Sequence, residues 1–268
     1  MCGIAGTIYS NNYLPGIEVI PEDLFSLLDK IEEGNAEASE LLDLAWKYKS
    51  NINFLRYCKS YSEQKEIDSL CKKIFHYSGE KKKELPLIDK SSSIELYKEK
   101  VNEWENLVDA NWFLSEELNK TTTLIETLSN SSLADLADAA LILFRDITKI
   151  IHAIDNRLEL RGRDSFGLSI SVTSTHFNSD NKIDHINEEE KESVYYTKRE
   201  GLETYSFVFK ACSSIGGLGD NANELKRLIS KNHFFIHLIK DCQVEAATIM
   251  GHTRWASVGE VNYANTHP

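Results

Sequence analysis

Residues 133–172 read LADLADAALILFRDITKIIHAIDNRLELRGRDSFGLSISV, and the hydrophobic period changes part-way through. Leu133, Leu136, Ala140, Leu143, Ile147, Ile150, Ile154 and Leu158 recur at the spacing of one helical face. Past Gly162 the period falls to two: Leu168, Ile170 and Val172 alternate with serines, as in a half-buried strand. A long amphipathic helix feeding such a strand makes the class α+β. Ser132, with Asp135 three residues on, predicts a capping box at the helix start.

Outward from this stretch, residues 2–9 read as a first strand, and Asn11, Asn12, Pro15 and Gly16 as a turn. Residues 21–159 are overwhelmingly helical in pattern. Within them Ile94, Tyr97, Val101, Trp104 and Val108 predict one buried helix face, with Trp104 and Trp112 in the core. The polar stretches 79–83 and 89–93 predict loops. Further on, 194–197, 205–212 and 246–252 read as strands and 221–231 as a helix, while 234–239 fits either. Residues 180–193 form an acidic connection.

Lys and Arg total 30 against 42 Asp and Glu, a formal charge of −12 that repels polyphosphate and argues against nucleic-acid binding. A hydrophobic content of 41% with only four prolines is that of a globular chain. No run of about 18 apolar residues predicts a membrane helix. The opening MCGIAGTIYS has neither a basic region nor an apolar signal core, so a cytoplasmic location is expected. The cysteines, Cys2, Cys58, Cys71, Cys212 and Cys242, are odd in number and form no CxxC pair. The last four read as small buried hydrophobes. His233 and His237 are spaced as two ligands on one helix face, but no third ligand accompanies them, so neither a metal nor a cofactor is expected.

Cys2 stands apart by its place. Once Met1 is removed, its thiol and α-amine lie on one residue, with ordinary pKa values near 8.5 and about 7.7–8.0. The amine can take the thiol proton and pass it to a leaving group, so one residue supplies nucleophile and general base. Gly3 beside it allows close approach to the backbone. Two further blocks carry chemistry: Arg161-Gly162-Arg163-Asp164-Ser165-Phe166-Gly167, and Gly251-His252-Thr253-Arg254-Trp255-Ala256-Ser257-Val258-Gly259, followed by Asn265-Thr266-His267-Pro268.

In this order the blocks resemble the class II glutamine amidotransferases, which are N-terminal-nucleophile hydrolases, and in particular the glutaminase domain of the isomerising glutamine–fructose-6-phosphate aminotransferases. Amidophosphoribosyltransferases are a second candidate of the same class. The resemblance implies a four-layer αββα sandwich in which 1–20 and 140–268 are the amidotransferase domain and 21–139 a helical insertion after the first strand. It implies that Cys2 attacks the glutamine side-chain amide, and that the ammonia aminates fructose 6-phosphate in a further, isomerase domain. It assigns Arg254 to the substrate α-carboxylate, a task that suits the guanidinium fork. Trp255 falls to a mobile loop, Ser257 to the place of a substrate-contacting threonine, and His267 to the NAHP-like segment. Arg161 and Asp164 fall to bracing the strand that carries Cys2, and Gly3 to a structural place beside the site.

Three departures accompany the likeness. More than a hundred residues separate the first strand from the RGRDSFG block, and they leave open a helical partner or a homo-oligomer. Val258 stands where the family has a histidine. The family's Asn-Gly oxyanion pair falls beyond Pro268. The rival reading is a non-catalytic interaction module built on a degenerate domain. Because oxyanion donors contribute a factor of about 10² to 10³ in rate, residues 1–268 alone are expected to release little or no glutamate from glutamine. A coupled glutamate assay showing normal turnover refutes this.

Overall fold

A computed structural model describes residues 3–10, 16–87, 94–158, 160, 162–175, 177, 192–212, 217–240, 243–255 and 260–267. The strands are β1 Gly3–Ser10, β2 Ser165–Ser174, β3 Val194–Arg199, β4 Leu202–Cys212 and β5 Ala246–Arg254. The helices are α1 Pro21–Glu32, α2 Ala38–Trp46, α3 Asn51–Lys59, α4 Tyr61–Glu84, α5 Ile94–Trp112, α6 Leu118–Ser129, α7 Asp138–Ala153, α8 Asp220–Lys231 and α9 His233–Lys240. Among the described residues, no helix is long and apolar enough to cross a membrane. The chain divides into two compact units, Met1–Tyr13 with Thr123–Pro268, and Leu14–Thr122.

The first unit is built on a sheet of order β1-β5-β2-β4-β3, antiparallel at every step. The period-two pattern is its cause. Phe166, Leu168, Ile170 and Val172 on β2 are buried, and the serines and threonine between them face the other way. Their neighbours in register are buried too: Ile170 lies opposite Ile249 on β5 and Phe207 on β4. On the opposite face the hydroxyls pair across strands, Ser171 with Ser206 at 2.8 Å and Thr173 with Thr204 at 2.9 Å.

Helices cover the apolar face. The buried side of α7, including Leu143, Phe144, Ile147 and Ile150, packs on β1 and β5. Phe235 of α9 joins α7 to the sheet, its ring 5.9 Å from Phe144, 4.9 Å from Phe207 and 5.7 Å from Phe209. This contact makes 234–239 helix rather than strand. The uncovered face carries Ile4, Ile8 and Met250, all exposed. The described residues thus form one antiparallel sheet with helices on one face, an α+β arrangement; they do not make the four layers of the expected sandwich.

The start of α7 departs from expectation. Leu133–Asp135 is a single 3₁₀ turn, and Ser132 gives its hydroxyl to the Asp135 carboxylate at 2.8 Å instead of capping a helix. Leu136 is extended, which breaks the run, and the α-helix begins at Asp138. Beyond Ala153 the helix widens into a π turn over Ile154–Leu158.

The second unit is helical. Leu24, Leu28, Leu41, Phe54, Ile67, Leu70, Ile74 and Leu107 form its core. Buried Asn53 ties its opening segment down, accepting the Val19 N–H and donating to the Ile17 and Lys47 carbonyls, each at 2.9 Å. Residues 79–83, expected as a loop, lie inside α4, whose Lys and Glu residues favour helix and whose Ser78 is buried. Residues 89–93 lie outside the described residues. The predicted stripe on α5 is rotated: Leu107 and Ala110 are buried, whereas Val108 and Trp112 are exposed. The cause is that α5 rests against α2 and α4 along the Leu107 flank. Trp104 is half-buried beneath the Lys82 ammonium, 5.3 Å from its ring. Cys58 and Cys71 are buried as expected and Cys212 is half-buried, while Cys242 lies outside the described residues. Burial, then the Asp68 charge, pushes the Cys71 thiol up to about 12, so it is inert as a nucleophile.

Gly251 sets how closely α7 approaches the sheet. A Cβ there would lie 2.6 Å from both Ile150 Cγ2 and Ile154 Cδ1. Gly251→Val is expected to cost about 1–3 kcal/mol by overpacking. A wild-type thermal melt for that variant counts against this packing.

Candidate functional site

Because β1 and β5 are antiparallel, the start of one meets the end of the other. Gly3 lies opposite Thr253, Arg254 opposite Ser165, and Ser165 opposite Cys212. The two sequence blocks therefore end side by side, and the Asp164 N–H donates to the Arg254 carbonyl at 3.0 Å. Asn221, at the start of α8, adds a bond from its amide to the Arg163 carbonyl at 2.8 Å.

Gly3, Asp164, Arg254, Trp255 and His267 are thus gathered at this end of the sheet, with Trp255 half exposed. Cys2, Arg161 and Ser257 lie outside the described residues, as does Val258. The structure therefore places the covalent neighbour of Cys2 beside the arginine block.

Arg254 acts here as a clasp. Its Nη1 donates to the Asn265 carbonyl at 3.0 Å and the Glu260 carbonyl at 3.4 Å. Within that segment the Asn262 side chain accepts the Asn265 N–H at 2.9 Å, and the Thr266 hydroxyl donates to the Asn262 carbonyl at 2.9 Å. The segment also reaches two other side chains of the sheet. The Lys210 ammonium lies 5.3 Å over the Tyr263 ring. The rings of His252 and His267 meet edge to face at 5.6 Å.

His252 and Ser165 escaped the sequence reading. Residues two apart on a strand share a face, so the placement of Arg254 already put His252 beside it. The His252 Nδ1 and the Ser165 Oγ are both buried with no hydrogen-bond partner among the described residues. Such orphaned groups are rare in folded proteins, and these two sit on neighbouring strands at the same end of the sheet. Burial, and then the neighbouring His267 ring and Arg254 guanidinium, hold the His252 pKa below its ordinary value and favour the neutral ring.

Among the described residues, no group of three or more His, Cys, Asp or Glu is placed to hold a metal ion. No family model, curated protein or solved structure matches the chain.

Between the ordinary histidine value and the lowered one of the fold, the unfolded chain binds the extra proton. The stability due to neutral His252 is therefore complete above about pH 6.5 and is lost as pH falls through the folded value. His252→Asn is expected to flatten the pH dependence of melting between about pH 7 and 5. A slope equal to that of the wild type overturns the assignment.

Proposed function

We propose that the chain is the glutamine-hydrolysing part of a class II amidotransferase, with Cys2 as nucleophile. The observation that supports this best is the meeting of three remote segments at one end of the sheet: Gly3 next to Cys2, Asp164 of the RGRDSFG block, and Arg254 of the GHTRW block. In this reading the Cys2 thiolate attacks the carboxamide carbon of glutamine. The C–N bond breaks and ammonia leaves with a proton carried by the α-amine. Water then attacks the thioester, releasing glutamate and restoring the thiol. The ammonia serves amination of fructose 6-phosphate in the cytoplasm; an amidophosphoribosyltransferase-like acceptor is the alternative within the class.

Arg254 takes the substrate α-carboxylate. Its Nη1 now holds the carbonyls of Glu260 and Asn265, so the segment 260–267 and the substrate share one guanidinium. The second sheet of the sandwich packs on the face of Ile4, Ile8 and Met250 in this reading.

A second reading, an interaction module, is favoured by Trp46 and Trp112, both about half exposed in the helical unit. The glutamine analogue 6-diazo-5-oxo-norleucine separates the two in protein expressed from the complete gene. An adduct on Cys2, in an N-terminal peptide without Met1, is the expected result. Arg254→Ala should slow labelling by about tenfold or more through loss of a charge-assisted contact. An unlabelled Cys2, or a retained Met1, overturns the enzymatic reading.

A further inference from the structure

Three segments converge on one hydroxyl. The side chain of Thr253 is buried, and its Oγ1 accepts the Gly3 N–H at 3.1 Å while donating to the Leu158 carbonyl at 3.4 Å. A hydroxyl has one proton and two lone pairs, so these two bonds use it in opposite senses. It links the first residues of β1 to the end of the π turn after α7. The packing around it is close on both sides. A Cβ at Gly3 would stand 3.0 Å from this oxygen and 2.8 Å from Leu158 Cδ2. A Cβ at Gly162 would stand 3.0 Å from the same oxygen and 3.0 Å from the Arg254 carbonyl carbon. Glycines at both positions are what let the segments close around the threonine.

The Gly3 nitrogen belongs to the peptide unit that joins it to Cys2. That unit is planar, so a bond that fixes the Gly3 N–H also fixes the plane from which Cys2 continues. Arg254 follows Thr253 directly, its side chain on the other face of β5. One residue thus holds the approach to the nucleophile and the base of the substrate clamp at once.

We propose that Thr253 is a positioning residue for Cys2: its hydroxyl orients the Cys2–Gly3 peptide against the turn that follows α7. The proposal rests on the amidotransferase reading. It makes serine at 253 tolerable, and valine, which has the same shape without the hydroxyl, damaging.

The test uses protein expressed from the complete gene. Thr253→Val should lower kcat for glutamine hydrolysis by about 10- to 100-fold, with KM within about twofold, as expected for a misplaced reacting group. Exchange of the Gly3 amide, followed in protein labelled with ¹⁵N-glycine, should quicken by about tenfold with loss of its partner. Thr253→Ser should restore both. Wild-type exchange in the valine variant, faster exchange with wild-type kcat, or equal loss in serine and valine each overturns the proposal. If the valine variant does not fold, Gly162→Ala replaces it, since its methyl presses on Oγ1. It should lower kcat and quicken Gly3 exchange together, and wild-type values of both overturn the proposal. A wild-type protein with no turnover overturns the amidotransferase reading itself. The rate of Cys2 alkylation by iodoacetamide then decides the role of Thr253: a rate unchanged by Thr253→Val overturns it, and a changed rate upholds it.

Discussion

The pairing of β1 with β5 is the constraint on which the sheet unit depends. It joins Gly3 to Thr253 across a sequence separation of 250, with every residue of β1 in register down to Ser10 opposite Ala246. Without it α7 would lose one of the two strands it packs on, since the helix rests on β1 and β5 together. The groups gathered at the end of the sheet would separate as well, because this pairing brings the front of the chain to the arginine block. Backbone bonds of this kind contribute only about 0.5–1.5 kcal/mol each. Burial of alternate residues fixes the register on β2, where a slip of one position would turn Phe166, Leu168, Ile170 and Val172 to the solvent.

Burial and polarity divide this unit cleanly. The covered face is aliphatic and aromatic, and Phe235 fills the space between α7 and β4. The uncovered face carries the paired hydroxyls of β2 and β4 and the exposed isoleucines of β1. The arginine clasp and the two histidines lie at the boundary, where a partly dry setting strengthens electrostatic contacts. The helical unit is organised differently: its opening segment is held by the three hydrogen bonds of Asn53 beside an aliphatic core.

What could be read from the sequence followed how local the determining interaction is. The serines between Leu168 and Val172 and the helical face of Leu143 to Ile154 announced β2 and α7, because period alone fixes both. Ser132 misled because its hydroxyl found the Asp135 carboxylate, a choice that pattern does not encode. Val108 and Trp112 misled because two helices, α2 and α4, decide which flank of α5 is buried. At the site, the GHTRW block pointed to Arg254 through the resemblance. The hydrogen bond from Gly3 to the Thr253 hydroxyl was out of reach, since it joins backbone to side chain across nearly the whole chain. The orphaned Nδ1 of His252 is likewise a property of its surroundings and not of its residue type.

The separation of the two paired strands also sets an order of events during synthesis. β1 leaves the ribosome first, and its partner follows 236 residues later by the register of Ser10 with Ala246. At translation rates of about 5–20 residues per second, that is a wait of roughly 10 to 50 seconds. Through this interval the exposed isoleucines of β1, Ile4 and Ile8, belong to a strand with no ladder to join. Helices can form in the meantime from local contacts, but β1 finds its partner only by closing a loop of more than two hundred residues.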